Sequence, residues 1–480
     1  MEQRETRDDV RLTTSRRTLL SASAVTAVAA ATAPLIIATP AFASGTAGPG
    51  GPTRPQPPGR DLTRLLEQVD PDRIEATINR LVAFGTRHTL SSQTDPNRGI
   101  GAATAWVLDQ MQQFAATSGG RMTVQSQSFV QPPGPRIPTA TTITNCITTL
   151  HGDTSPDRIY VVTGHLDSRV TDVLNFTSDA PGADDDGSGV AVVLELCRIL
   201  ATQHTEATII LATVTGEEQG LFGSAFMAAQ LKAAGAKIQG MFSNDIVGAS
   251  SAFDGTRPDP HTLRLFVEGV PTSETPLQTA IRQAVGGEND GPSRQLGRFV
   301  LDVASNDATG MNVRTILRRD RYLRSSDHVS FLQQGYPAAR FTEPRENFDH
   351  EHNDVQVVGG VQHGDLAEFC DFDYIARVAK VNLATMWSLA QAPGTPTGAV
   401  IDTSTLTNLT TLRWNQGTES DLAGYEVVWR DSIAQDWTNV IPVGNVTTAT
   451  IDLSKDNVQF GIRALDTDGH RSPVAAPQPG

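Results

Sequence analysis

Five short stretches of this chain end apolar runs with residues that can bind cations or move protons. They are "GHLDS" with His165 and Asp167, "GADDDGSG" with Asp184, Asp185 and Asp186, and "TGEEQG" with Glu217 and Glu218. "NDIVG" with Asp245 and "HEHND" with His350 and His352 complete the set. Three consecutive carboxylates repel one another and raise one another's pKa unless something positive offsets them. A helix cap accounts for one Asp, or two, because Asp is a preferred N-cap and favours the positive end of the helix dipole. The third is left over. If the strand ends converge, the pocket holds many acids and two or three imidazoles, with no matching cluster of lysines or arginines. Such a pocket needs cations. Imidazole with carboxylate, and no thiolate, suits zinc in an open site, whereas calcium or magnesium prefers oxygen alone.

The elements that must position these residues alternate between two periods. Helical periodicity is expected over Pro71 to Phe84, Gly101 to Ala115, Gly189 to Leu200 and Leu221 to Ala234. Between them "TTITNCITTL", "RIYVVTGH", "EATIILATVTGEE" and "GMFSNDIVG" read as strands. Strands alternating with helices predict a three-layer α/β/α globule around a mixed, largely parallel sheet, with its site in loops at the strands' carboxyl ends. Residues 286–310 are polar and Gly-containing and read as a surface excursion near that site. Beyond "QAPGTPTGAV" the pattern changes to short alternating strands, with Trp414, Tyr425 and Phe460 as core aromatics. That stretch resembles a fibronectin type III module, which implies a small all-β sandwich.

The chain of 480 residues, 39% hydrophobic and 19% charged, is long for one domain. Its net charge of −15 argues against nucleic acid or an anionic membrane as partner. Arg16 and Arg17 precede an apolar run that ends in Ala41-Phe42-Ala43, an export signal of the twin-arginine kind. The expected organisation is a signal peptide at 1–43, a disordered Gly/Pro-rich linker at 44–61, a catalytic domain at 62–392 and the sandwich at 396–480. The mature chain is expected to be secreted, monomeric and without a membrane span, the sandwich being a candidate for surface or polysaccharide contact. Cys146, Cys197 and Cys370 allow at most one disulfide.

The five stretches, in this order and at these separations, resemble the co-catalytic di-zinc aminopeptidases of the bacterial leucyl type, relatives of glutamate carboxypeptidases and glutaminyl cyclases. The resemblance spans residues 70–390 and implies a mixed eight-stranded sheet. It further implies His165 and Asp245 on one zinc, Glu218 and His350 on the other, and Asp185 between them. His350 is favoured over His352 because Asp354 follows it by four positions, as in the family. Glu217 falls where the family keeps its general base. Asp167 is expected to accept a hydrogen bond from the far nitrogen of His165. The family's oxyanion Tyr, just before "SDH", is Ser325 here, so either Tyr322, three residues earlier, takes that role or the metal ions stabilise the oxyanion unaided. Asp327 and His328 read as helix-start and packing residues. The implied function is a secreted aminopeptidase that removes N-terminal residues from peptides, with water activated between two zinc ions. The alternatives are a glutaminyl cyclase-like transferase, or a non-catalytic binding protein on a peptidase scaffold.

Overall fold

A computed structural model describes residues 46–251 and 257–480; the expected signal peptide lies outside the described residues. The main sheet has eight strands: β1 (Met122–Gln131), β2 (Thr141–Leu150), β3 (Ser155–His165), β4 (Ala207–Val214), β5 (Lys237–Asn244), β6 (Thr262–Val267), β7 (Asn312–Ile316) and β8 (Ala338–Thr342). Their order is β1-β2-β4-β3-β5-β8-β6-β7. The pairs β4–β3, β3–β5, β5–β8 and β6–β7 are parallel, and the outer pairings that attach β1, β2 and β6 are antiparallel. The central parallel strands are near-continuous apolar runs because helices cover both faces. In β4 every residue is buried.

The helices that frame the sheet are α1 (Pro71–Val82), α2 (Ile100–Ala116), α3 (Gly187–Leu200), α4 (Phe222–Ala233), α5 (Pro276–Val285), α6 (Pro292–Ala304), α7 (His328–Gln333) and α8 (Phe372–Gln391), with a shorter helix, Arg60–Leu66, ahead of them. On one face α1, α2, α3, α6 and α8 share a single apolar cluster with the sheet. On the other, α4 and α7 pack against Val161, Ile210 and Met241. The architecture is therefore the expected three-layer mixed α/β globule. Boundaries follow local chemistry: Asp70 caps α1 by accepting from the Asp72 N–H, and Pro71 occupies the first turn. The expected polar excursion at 286–310 is instead largely α6, which buries Leu296, Phe299, Val300 and Val303. Its charged face conceals an i, i+3, i+4, i+7 apolar stripe.

Residues 400–479 contribute to two four-stranded sheets around Leu412, Trp414, Tyr425, Val427, Ile441, Phe460 and Ile462. Trp414 and Tyr425 meet edge to face at 5.4 Å between centroids. The Gly/Pro-rich leader departs from expectation, since residues 46–61 are not a disordered linker. Gly51–Pro52 pairs with Val440 and Asn439 as an edge strand, and the Gln56 N–H reaches Asp302. An edge position tolerates proline because only one side of the strand must offer N–H groups. All three cysteines are free. No helix among the described residues is long and apolar enough to cross a membrane.

Candidate metal centre

The parallel strands β3, β4, β5 and β8 point the same way, and the chemistry collects at their carboxyl ends. His165 is the last residue of β3 and Asp245 directly follows β5. Glu217 and Glu218 open a four-residue helical turn (Glu217–Gly220) just past β4, and Asp185 lies in the loop leading into α3. The loop after β8 brings in a second imidazole.

Two three-residue groups result, each offering ligand atoms that lie within 4.8 Å of one another. His165, Asp185 and Asp245 form one; Asp185, Glu218 and His352 form the other. His165 Nε2 is 2.9 Å from Asp185 Oδ1 and 3.9 Å from Asp245 Oδ1. His352 Nε2 is 2.8 Å from Asp185 Oδ2 and 3.1 Å from Glu218 Oε1. Asp185 thus presents one oxygen to each group. His165, Asp185, Glu218 and Asp245 are all buried.

The expectation for His350 is corrected: His352 occupies that place. The His350 ring stacks on Phe369 with centroids 3.7 Å apart and planes 6° apart, so packing rather than ligation holds it. His352 takes a left-handed backbone conformation with φ 56°, which turns its side chain into the cluster. The "HEHND" spacing alone conceals this, since the deciding feature is one residue's backbone hand. Tyr322 is 81% exposed, with the Arg318 guanidinium 3.7 Å over its ring, and is not packed among the buried cluster.

Asp167 acts differently from its expected role. The His165 Nδ1 donates to the backbone carbonyl of Asp167 at 3.0 Å, while the Asp167 carboxylate stands 3.8 Å from that nitrogen. With Nδ1 as donor, Nε2 is left free to face the carboxylates. The Asp167 carboxylate instead accepts the N–H groups of Gly216, Glu217 and Glu218, pinning the turn that carries both glutamates. Asp186 caps α3 through the Gly189 N–H and also accepts the His165 N–H at 2.7 Å. Asp184 accepts the Gly248 N–H at 2.6 Å.

Several supporting residues carry no motif and escape sequence reasoning. Asp365 accepts the N–H groups of Asp184 and Asp185, both at 2.8 Å. Buried Arg87 donates to the carbonyls of Leu166, Pro181 and Gly182, fixing the loop that leads to Asp185. Arg340, fully buried on β8, lies 3.1 Å from Asp245 Oδ1 and 2.9 Å from Asp320 Oδ1.

The electrostatics are those of a cluster short of positive charge. Burial opposes ionisation of Asp185, yet His352 and His165 hold its carboxyl well below the usual range. The Glu217 carboxyl is pushed well above its ordinary value by burial, with Asp245, Glu218 and Asp327 adding repulsion. Glu218 Oε1 is buried without an aligned hydrogen bond despite its closeness to His352. Unpaired buried carboxylate is costly, and a divalent cation relieves that cost. Neutral imidazole with carboxylate in two groups of three is a donor set that fits zinc.

A family model, Peptidase family M28, matches residues 145–358. A probable zinc metalloprotease of Pyrenophora teres f. teres is 51% identical over 427 residues, covering 88% of this chain and 88% of its own. The chain belongs to peptidase family M28. A probable zinc metalloprotease of Pyricularia oryzae is likewise 51% identical over 431 residues, covering 88% of this chain and 86% of its own. Among solved structures, the LapA aminopeptidase of Legionella pneumophila aligns with TM-score 0.47 and 17% identity over 69% of this chain and 75% of that one. The M28 match encloses His165, Asp185, Glu217, Glu218, Asp245 and His352. Both metal-type groups therefore lie within the family's own segment.

Proposed function

We propose that this M28 peptidase is an exported zinc aminopeptidase that holds two ions per chain and removes N-terminal residues from peptides. One observation carries the reading: Asp185 turns one oxygen to His165 and the other to His352, with Asp245 and Glu218 completing the two sets. The two curated relatives above are described as probable zinc metalloproteases, which supports zinc as the ion. His165, Asp185 and Asp245 would hold one ion, and Asp185, Glu218 and His352 the other. Bound zinc supplies a Lewis acid that polarises the scissile carbonyl and makes water easier to deprotonate.

The chain's own groups do the rest. Glu217, next to a ligand residue but in neither group, takes the proton from the attacking water and returns it to the leaving nitrogen. That role is worth ~10² to 10⁴ in rate. Asp167 holds Glu217 and Glu218 in place through three backbone N–H groups. A free α-amine of the substrate lying near one ion would favour removal of N-terminal residues. Export rests on the paired arginines and Ala-Phe-Ala site at the N-terminus, and we read the C-terminal sandwich as the fibronectin type III-like module its sequence suggests.

The test is product release from free and N-blocked aminoacyl and peptidyl amides, before and after chelation and again after zinc is restored. Hydrolysis of unblocked substrates alone, lost with zinc and recovered with it, is the expected result. Preference for N-blocked substrates would remove the aminopeptidase part, and activity that survives complete metal removal would remove the zinc mechanism.

A further inference from the structure

A short peptide carries its C-terminal carboxylate close to the scissile bond, and a cation placed near the leaving group recognises it. Residues 132–138, "PPGPRIP", supply a cation at that place. Prolines 132, 133, 135 and 138 fix φ along the segment, which leaves it little freedom. Gly134 and Ile137 close a tight turn with two backbone hydrogen bonds, of 2.6 and 3.1 Å, and Ile137 is buried. Arg136 sits at the tip. Its Nη1 donates to the backbone carbonyl of Glu218 at 3.0 Å, one residue from the proposed base.

Arg136 is an exposed residue, and among the described residues the structure gives its guanidinium one partner, the Glu218 carbonyl, and no ion pair. Three arginines on the far side of the cluster are held by carboxylates. Arg321 and Arg324 pair with Glu346 at 3.0 and 2.7 Å, and Arg340 is buried between Asp245 and Asp320. Arg136 therefore keeps most of a planar, five-donor fork for a ligand. On the proposed reading Glu217 gives its proton to the leaving nitrogen, and Arg136, bonded to the carbonyl of the next residue, is a cation on the side of that leaving group.

We propose that Arg136 is a specificity residue that binds the free C-terminal carboxylate of the leaving residues, and that the preferred substrates are dipeptides and tripeptides rather than long chains. The proposal rests on the aminopeptidase reading for the direction of the substrate. Arginine to carboxylate is a charge-assisted pairing that a carboxamide cannot reproduce.

The experiment compares alanyl-leucine, leucyl-leucine and phenylalanyl-leucine as free acids and as C-terminal amides. Zinc-loaded wild type, Arg136→Gln and Arg136→Lys are measured by calorimetric binding and by kcat/KM. Wild type should favour the acid over the amide about tenfold or more, through KM rather than kcat. Arg136→Gln should bring that ratio close to one, and Arg136→Lys should restore part of it. Because a ratio is read, a general loss of folding or of zinc cancels. A wild-type ratio near one, or a ratio that survives Arg136→Gln, overturns the proposal. An acid preference in binding that disappears in Arg136→Gln, with neither form hydrolysed, supports the role of Arg136 and overturns the peptidase reading instead.

Discussion

The metal-centre end of the sheet and the contact between the sandwich and α6 handle buried charge in opposite ways. At the sandwich contact the buried Arg430 and Arg463 each have a carboxylate from the other side. Arg430 Nη2 lies 2.8 and 3.0 Å from the two oxygens of Asp290, and Arg463 reaches Glu426 at 2.7 Å and Asp302 at 3.4 Å. Trp437 lies beneath both Arg298 and Arg430 and donates its indole N–H to Gln295. At the strand ends, Asp185, Glu217, Glu218 and Asp245 crowd around two imidazoles, with Arg340 balancing Asp245 alone among them. A region whose charges cancel internally is structural, and one whose charges do not is built for something that arrives from outside. Chelation should therefore have the largest effect: complete loss of activity and a lowered unfolding temperature, both reversed by zinc, in scanning calorimetry and peptide hydrolysis. The sandwich contact should not respond to metal at all.

Within the metal-centre end, the comparison sharpens at single residues. Glu217→Gln should lower kcat by ~10²- to 10⁴-fold while zinc content, read by atomic absorption, stays at the wild-type level. Loss of zinc in that variant would show that the base and ligand roles of Glu217 and Glu218 are exchanged. On the two-ion proposal, His352→Ala should lose about one zinc equivalent per chain, because it would remove a proposed ligand. His350→Ala should keep both and lose only its stacking on Phe369.

How far the sequence revealed this follows from how local each signal is. The α/β alternation, the five acidic stretches and the sandwich strands were legible because each depends on side-chain period or on contiguous residues. The choice between His350 and His352 was not, since it turns on one left-handed residue and an aromatic partner 19 positions downstream of His350. Asp167 was found as a support, but its target, a set of backbone N–H groups, cannot be read from side-chain types. Arg87, Asp365 and Arg340 act from far along the chain on loops they do not belong to. The leader at 46–61 misled because a Gly/Pro-rich composition describes both an unstructured linker and an extended edge strand.

Breaking the self-cancelling region should affect stability without touching chemistry. Asp290→Asn strips Arg430 of its countercharge while Arg430 is 1% exposed, and leaving one buried charge unpaired typically costs about 3–5 kcal/mol. Denaturant unfolding should show that loss, with kcat per folded molecule and zinc content unchanged. A larger fall in zinc than in stability would mean that the sandwich supports the metal centre directly.

The smallest effect separates the two kinds of compensation inside the metal-centre end itself. Burial would raise the Asp320 carboxyl, but Arg340, His328 and Arg321 draw it down to about 2 from an ordinary 3.8. A depressed carboxyl contributes its stability in full above the unfolded value and loses it as pH falls through the folded one. Asp320 should thus add about 2 kcal/mol at neutral pH that disappears between roughly pH 4 and 2. In Asp320→Asn, unfolding free energy should vary less steeply over that interval than in wild type. The difference should shrink in an Arg340→Gln background, because Arg340 is the partner that draws the Asp320 carboxyl down most. If instead it persists unchanged there, His328 and Arg321 hold Asp320 down, and the self-cancelling charge closes around Asp320 without depending on the arginine it shares with Asp245.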